Sequence, residues 1–452
     1  MMTNTVDFIG VGIGPFNLSI AALCHEAEGF SSQFFDGRPD FAWHPGMLVP
    51  DCHMQTMFLK DLVSAVAPTS PFSFVNYLVK RKKFYRFLTT ELRTVSRDEF
   101  SDYLRWAAEG MDNLQFNQTV ERIDFDEQRK LFVVQTGQQQ TFARNICLGI
   151  GKQAHLPPCV KTVTPTCFHA SEMSLRLPNL TGKRVTVVGG GQSGADLFLN
   201  AFRGAWGEVA EVNWVSRRNN FNALDEAAFA NEYFTPEYVS GFVGLNEDAR
   251  QKMLDEQKMT SDGITADSLL TIYRELYHRF EVLGQPRNAR LLPSRSVTAV
   301  ESRGQGWQLL LEHHLDKGYD TLDSDVVIFA TGYRPTLPQM LSPLMPRMAM
   351  RDECNFKVRD DFTLEWNGPA GNNIFAVNAS MQTHGIAEPQ LSLMAWRSAK
   401  ILNRALGRDL FDLSTPPALI QWRSGSREKP QHSAASLTHY SSKSFEMQPG
   451  AN

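Results

Sequence analysis

Six cysteines, at 24, 52, 147, 159, 167 and 354, are scattered through the 452-residue sequence, and none forms a C-x-x-C pair. That scatter excludes a dithiol redox centre and a zinc site of the usual spacing, and it suits a reducing compartment. No apolar run approaches the ~18–20 residues that a membrane span needs. Dense basic blocks are missing as well. Lys80–Lys83 is short and reads as a solvated helix face, and the formal net charge is -4. Neither nucleic acid nor a membrane is expected as a partner. The N-terminus lacks the basic start and long apolar centre of a secretory signal, which points to the cytoplasm. The one histidine pair, His313-His314, would point apart on a strand, so no metal is expected. What remains is ordinary globular material, 42% hydrophobic and 21% charged, long enough for two or three domains.

The sharpest local signal is Asp7–Leu18, DFIGVGIGPFNL. An apolar strand runs into Gly12-Ile-Gly14-Pro15-Phe-Asn17 and then into a helix-like LSIAAL. This is the strand–turn–helix opening of a dinucleotide fold. The first glycine permits a tight turn, the second lets backbone approach a pyrophosphate, and the helix N-terminus offers free N–H groups. Asn17 stands where the third glycine is usual and is grouped with the cofactor contacts. Asp36, at the end of the next strand, is placed to accept hydrogen bonds from an adenosine ribose.

The aromatic, turn-rich stretch that follows carries Trp43, His44, Met47 and Gln55, residue types able to wrap a flavin ring by apolar contact and directed hydrogen bonds. Helices are expected over 71–109, with Phe74, Tyr77 and Leu78 on one buried face and Phe100, Tyr103, Leu104 and Ala107 on another. Three strands follow, at 120–125, 131–135 and 141–148, as an antiparallel element appended to the first half.

A second fingerprint starts at Arg184. Four β-branched residues lead into Gly189-Gly190-Gly191-Gln192-Ser193-Gly194, with all three glycines in place. Its second strand ends in Arg217-Arg218 in place of an acid. Guanidinium groups bind a 2′-phosphate that a carboxylate would repel, so this half calls for NADPH. Two fingerprints of opposite charge imply two nucleotides, FAD in the first and NADPH in the second. Residues 222–283 read as a helical insertion. Strands return at 297–301, 307–312 and 325–330, and the last leads into Thr331-Gly332-Tyr333, a tight turn grouped with the cofactor contacts. A final strand is expected at 375–378 and a helix ending near Leu402, and the Ser- and Gln-rich tail from 425 is expected to be disordered. The fold class is therefore α/β: two Rossmann-like dinucleotide-binding domains and a smaller helical substrate region. The boundaries are 1–170 and 326–424 for FAD and 171–325 for NADPH.

The ordered motifs GIGPFNL at 12–18, WHPGM at 43–47, MQTMFLKDL at 54–62, GGGQSGAD at 189–196, NEYFTPE at 231–237, ATGYRP at 330–335 and THGI at 383–386 together resemble the microbial N-hydroxylating monooxygenases of siderophore biosynthesis. Within them, the resemblance is nearest to the enzymes that act on L-lysine. It implies that NADPH reduces FAD and that O2 is activated as a flavin hydroperoxide, which an amine attacks without any catalytic side chain or metal. It also implies that Lys60 meets the carboxylate of the amino acid, with Asn231 at its amino-acid end and Ser392 nearby. Thr260-Ser261-Asp262 stands where the family has an Asn-Tyr-Ser segment touching nicotinamide and substrate, so Ser261 is included on position alone. The alternatives are N-hydroxylation of a diamine such as cadaverine or of L-ornithine, or a flavin monooxygenase acting on a carbon or sulfur centre, and a homo-oligomer is expected.

Overall fold

The computed structural model describes residues 4–424 except 177 and 417; the tail from 425 lies outside the described residues. The chain opens with β1 (Asn4–Val11), α1 (Pro15–Cys24) and β2 (Ser32–Phe35). Helices α2 (Phe74–Lys80), α3 (Phe84–Thr89) and α4 (Arg97–Glu109) come next. They lead to β3 (Leu114–Gln115), β4 (Val120–Asp126), β5 (Leu131–Thr136) and β6 (Gln139–Leu148). A connecting stretch holds β7 (Gln153–Ala154), β8 (Cys167–His169) and α5 (Met173–Arg176). The second glycine region is β9 (Arg184–Val188), α6 (Gln192–Phe202) and β10 (Glu211–Val215). Helices α7 (Pro236–Val243), α8 (Glu247–Glu256), α9 (Lys258–Asp262) and α10 (Ala266–Tyr277) form the insertion. Then come β11 (Ala289–Leu292), β12 (Arg295–Arg303), β13 (Gly306–His313), β14 (Tyr319–Ser324), β15 (Val326–Phe329) and β16 (Tyr333–Arg334). The described part closes with β17 (Asn373–Ala376), α11 (Met381–His384) and α12 (Met394–Leu406).

Two sheets organise these elements. The first runs β3-β2-β1-β6-β5-β4, with β17 on the other edge of β6. Strand β1 is parallel to both β2 and β6, and buried on both faces: Phe8 and Ile9 are completely covered, from opposite sides. Burying such side chains is worth about 1.5–3 kcal/mol each, which makes β1 the spine of its sheet. The three strands expected as an appended antiparallel element are antiparallel to one another, but β6 is also a central parallel strand of the main sheet. The second sheet runs β11-β10-β9-β15-β8, parallel throughout. A separate antiparallel meander, β12-β13-β14, packs beside it; β14 had no sequence counterpart.

Helix α4 begins at Ser96, whose side chain accepts from the N–H of Glu99, and buries Phe100, Tyr103, Leu104 and Ala107 against α1 and α2. Helix α12 packs along α1 with Met394, Ala395, Ala399 and Leu402 inward. The aromatic loop joins the halves. Met47, Val49 and Cys52 sit in the core of the second sheet although their neighbours in sequence belong to the first. Polar bonds hold the same seam: Asn200 donates to the Pro50 carbonyl at 3.0 Å, and Arg203 pairs with Asp51 at 2.7 Å. Among the described residues no helix is long and apolar enough to cross a membrane, and no cluster of three potential metal ligands occurs.

Candidate dinucleotide site

At Gly12 the backbone takes φ +84°, and a Cβ there would lie 2.6 Å from the Gly149 carbonyl, so this turn admits only glycine. Gly14 differs. Its added Cβ would meet nothing closer than 3.9 Å and would project into a cavity of about 1180 Å³. The cavity spans both halves of the chain, and its size exceeds that of a small-ligand pocket. Helix α1 starts beneath it with no capping side chain and no acid in its first turn, and α6 starts the same way at Gly191. Helices α2, α4, α7, α8 and α10 are all capped, by Ser73, Ser96, Thr235, Asn246 and Thr265. Helices α3, α9, α11 and α12 lack such a cap as well, so what singles out α1 and α6 is the glycine loop in front of their free N–H groups and positive dipole ends.

Asp36 closes the first loop. Its carboxylate accepts from the N–H of Ile13 at 2.7 Å and from the Arg38 guanidinium at 2.6 and 2.9 Å. Burial pulls its pKa upward, but the Arg38 and Ile13 hydrogen bonds outweigh that and hold the carboxyl below its ordinary value. Arg38 also donates to the Ile13 carbonyl at 2.9 Å, so one guanidinium braces acid and loop together. His44 stands in the left-handed region at φ 46° and faces the cavity. Burial among protein groups, then the charges of Arg97 and Arg38, push its imidazole down to about 4, so it is neutral near pH 7.

Gly12, Gly14, Pro15, Asp36, Trp43, His44, Met47, Gln55, Ser193, Ser261 and Tyr333 all line the cavity. Tyr333 reaches it because β16 pairs antiparallel with β7 and turns the chain back at Gly332. Thr331 and Gly332 stay behind the wall. The Thr331 hydroxyl donates to the His155 carbonyl, and the Gly332 carbonyl accepts from His155 N–H at 2.9 Å. It also accepts from His169 Nε2 at 3.1 Å, and Nδ1 of that ring accepts from Ser171 N–H at 3.1 Å.

Asn17 is not at the cavity. It is fully buried, and its amide donates to the carbonyls of Val11 and Gly12 at 3.2 and 2.7 Å. A Cβ on Gly149 would come within 2.4 Å of that amide, so the space saved by a third glycine is supplied by Gly149, just past the end of the neighbouring strand β6. Gly194 does the usual job in the second loop, where a Cβ would lie 2.0 Å from the Gly189 carbonyl. Gly189 itself has φ +145° and would clash with the Ala330 carbonyl at 2.1 Å. Gln192 lies one step back from the cavity. It accepts from the N–H of Thr265 at 2.9 Å and from Gln55 at 3.4 Å, and donates to Asp196 and Ser268 at 2.8 and 3.0 Å.

Arg217 and Arg218 lie outside the cavity lining and differ from each other. Arg217 is exposed and near His155, whose pKa is lowered by burial and then by the charges of Arg334 and Arg217. Arg218 is turned inward and donates to backbone carbonyls. Lys60 and Asn231 also lie away from the lining. Lys60 does not pair with Asp61, whose carboxylate is buried and accepts from the N–H groups of Val63, Ser64 and Phe74. The ammonium of Lys60 instead faces the Phe234 ring at 6.0 Å, on the same turn as Asn231, and burial lowers its pKa. Asn231 is exposed, with weak 3.4 Å bonds to the Glu226 and Ala227 carbonyls. Ser392 sits on a half-buried turn beside Leu391, which does line the cavity.

Sequence reasoning missed the cations of this cavity: Arg38, Arg97, Lys152 and Lys258 all line it, from four separate elements. Only Arg38, two residues from Asp36, had a local signal. Lys152 is carried in by the turn after β6, and burial lowers its pKa although Glu388 and Asp262 oppose that. A cavity with uncapped helix ends, a braced acid and several cations fits a dinucleotide diphosphate.

Comparison with known proteins agrees with this geometry. The family described as L-lysine 6-monooxygenase/L-ornithine 5-monooxygenase matches residues 4–335. The chain is 78% identical to an L-lysine N6-monooxygenase of Escherichia coli over 424 residues, 94% of this chain and 100% of that relative. The FAD-bound cadaverine monooxygenase DfoA of Erwinia amylovora has a TM-score of 0.88 at 28% identity, covering 94% of this chain and 100% of that one. An ornithine N-hydroxylase of Kutzneria, solved with reduced FAD, NADP+ and L-ornithine, has a TM-score of 0.82 at 28% identity, covering 89% and 99%. This chain belongs to the L-lysine 6-monooxygenase/L-ornithine 5-monooxygenase family.

Proposed function

We propose that the chain is an NADPH- and FAD-dependent monooxygenase that hydroxylates the terminal amine of L-lysine, supplying N6-hydroxylysine for hydroxamate siderophores. The observation that carries the choice of substrate is the 78% identity to the Escherichia coli L-lysine N6-monooxygenase. Fold alone does not choose, since enzymes of cadaverine and ornithine share it. The net reaction consumes lysine, NADPH, O2 and a proton and yields N6-hydroxylysine, NADP+ and water.

Bound FAD supplies the redox chemistry, accepting reducing equivalents from NADPH and activating O2 for transfer to nitrogen. The first glycine loop and the start of α1 would hold its diphosphate, Asp36 its adenosine ribose, and Trp43, His44, Met47 and Gln55 its ring. The second loop, with Arg217, would hold NADPH. Domain limits of 1–170 and 326–424 for the first part and 171–325 for the second, with 222–283 contributing to the substrate site, belong to this reading, as do a homo-oligomer and a cytoplasmic location.

The substrate amine must be neutral to attack, yet a free lysine amine has a pKa of ~10.4. Desolvation favours the neutral amine, and Arg97, Lys152 and Lys258 on the cavity lining repel a proton held there, against the opposing pull of Asp255 and Asp262 on the same lining. Lys60, partly buried beside Phe234, is matched to the carboxylate of the substrate, with Asn231 and Ser392 at the same end. Anchoring at that end sets the reach of the chain. Ornithine is one methylene short, and a misplacement near 1 Å costs on the order of 100-fold.

Aerobic turnover with NADPH and lysine, ornithine, cadaverine or putrescine, with hydroxylamine product assayed directly, tests the assignment. Lysine should be hydroxylated best, and Lys60→Ala should narrow its advantage over cadaverine while leaving flavin reduction by NADPH largely intact. Better hydroxylation of cadaverine than of lysine by the wild type would overturn the substrate.

A further inference from the structure

Two adjacent arginines end the second strand of the second fingerprint, and the fold uses them differently. Arg217 is exposed, and among the described residues it makes no hydrogen bond or ion pair. Arg218 is half-buried, and its Nη1 donates to the carbonyl of Gly190 and to the carbonyl of Asp262, both at 2.9 Å. Its own backbone is fixed as well: the N–H donates to Ser216 Oγ at 3.2 Å and the carbonyl accepts from Ser294 N–H at 2.7 Å. The side chain lies along the loop, for a Cβ on Gly190 would meet Arg218 Cδ at 3.7 Å. One carbonyl partner belongs to the glycine loop and the other ends α9. The α9 segment lines the cavity through Lys258, Ser261 and Asp262, while the glycine loop reaches it only at Ser193.

The surroundings make these segments one unit. Beyond Asp262, a Cβ on Gly263 would lie 2.3 Å from Leu224 Cα, so the chain leaving α9 is flush against the chain that left β10. Leu224 N–H donates to the Ile264 carbonyl at 2.7 Å, and Ile264 N–H returns to Asn222 at 3.1 Å. Gln192, at the start of α6, joins the same assembly through Thr265 on one side and Gln55 on the other.

We propose that Arg218 is a positioning residue, not the reader of the 2′-phosphate: it couples the second glycine loop to the Ser261–Asp262 wall, so that a dinucleotide on the loop fixes that wall. This rests on the reading that NADPH binds the second loop. Both Nη1 hydrogens of Arg218 go to carbonyls, which pins its guanidinium against the loop and the end of α9 and leaves only Nε and Nη2, whereas among the described residues all five donors of Arg217 are open to a phosphate. A dinucleotide that pulls on the loop amides shifts the Gly190 carbonyl, and the shared guanidinium carries that shift to Asp262. The coupling runs through a contiguous set of hydrogen bonds and is reciprocal: a fixed wall favours the dinucleotide in turn.

Hydrogen exchange of the FAD-loaded enzyme, with and without saturating NADP+, tests this on residues 258–264. In the wild type NADP+ should slow exchange there by about tenfold, a usual size for coupled sites. Arg218→Lys keeps the charge but not the fork of donors. It should lose that protection at saturating NADP+, keep the wild-type ratio of kcat/KM for NADPH over NADH, and release more peroxide per NADPH. Arg217→Ala should do the reverse, losing the ratio and keeping the protection. The proposal is overturned if Arg218→Lys loses the ratio and keeps the protection, or if NADP+ binds the wild type without slowing exchange at 258–264. The wild-type measurement decides even if the variant fails to fold. A wild type that binds no NADP+ brings down the coenzyme assignment itself, which the binding curve reports separately.

Discussion

Behind the first glycine loop stands a carboxylate, Asp36, and behind the second a guanidinium, Arg218. Each fixes its loop through backbone groups: Asp36 accepts the Ile13 N–H, and Arg218 donates to the Gly190 carbonyl. The reach differs. Asp36 is braced by Arg38 two positions away, so the first loop is closed locally, while Arg218 ties its loop to Asp262 across the helical insertion. The third position differs too. In the second loop Gly194 lets the helix approach the Gly189 carbonyl, and in the first Asn17 fills the space while Gly149 gives way. Close approach of helix and sheet needs one glycine, which either partner can provide.

The largest effect that separates the loops is steric. Gly189→Ala places a Cβ 2.1 Å from backbone at Ala330, and should cost about 3 kcal/mol or more of folding stability. Gly14→Ala points its methyl into the cavity instead and should leave the melting temperature nearly unchanged while FAD affinity falls. Thermal denaturation beside flavin titration checks both, and equal melting losses would break the distinction.

A smaller loss is expected from Asn17→Gly, which restores the usual fingerprint yet removes buried hydrogen bonds to Val11 and Gly12. Denaturant unfolding should reveal destabilisation of about 1–3 kcal/mol. A stabilised variant would mean that Asn17 is not a packing residue.

Acid should discriminate more gently still. The Asp36 carboxyl is held below its ordinary 3.8, so its contribution is complete above that pH and is lost as the pH falls through the lower folded value. The bonds of Arg218 to carbonyls have no such dependence. Hydrogen exchange in acid should therefore open residues 10–16 before 188–194, and the opposite order would contradict the local ion-pair account.

Both nucleotide halves were legible because strand, glycine turn and helix are contiguous, and Asp36 and Arg217 follow at fixed spacing. The helical faces of α2 and α4 were legible for the same reason, since a period of three to four residues is local. Asn17 was not: it sits within the motif, but its neighbours Cys147 and Gly149 lie on β6 and just past its end, and only the fold brings them together. The cationic lining stayed hidden because Arg97, Lys152 and Lys258 come from a helix start, a turn and an insertion with no shared pattern. The seam at Met47, Val49 and Cys52 was also invisible, as a loop of the first half gives no sign that it fills the core of the second. Arg217 and Arg218 looked equivalent in sequence, and only the position of Gly190 and Asp262 separates them.

The central claim is that the first loop takes FAD and the second NADPH. Parallel titration of Asp36→Ala and Arg217→Ala with FAD, NADPH and NADH tests it most directly. Asp36→Ala should lose FAD affinity and keep its preference for NADPH. Arg217→Ala should bind FAD normally, weaken NADPH by about 1.5–3 kcal/mol and leave NADH unchanged. If Asp36→Ala instead keeps FAD and loses the coenzyme preference, or Arg217→Ala loses FAD, the two loops have been assigned the wrong way round.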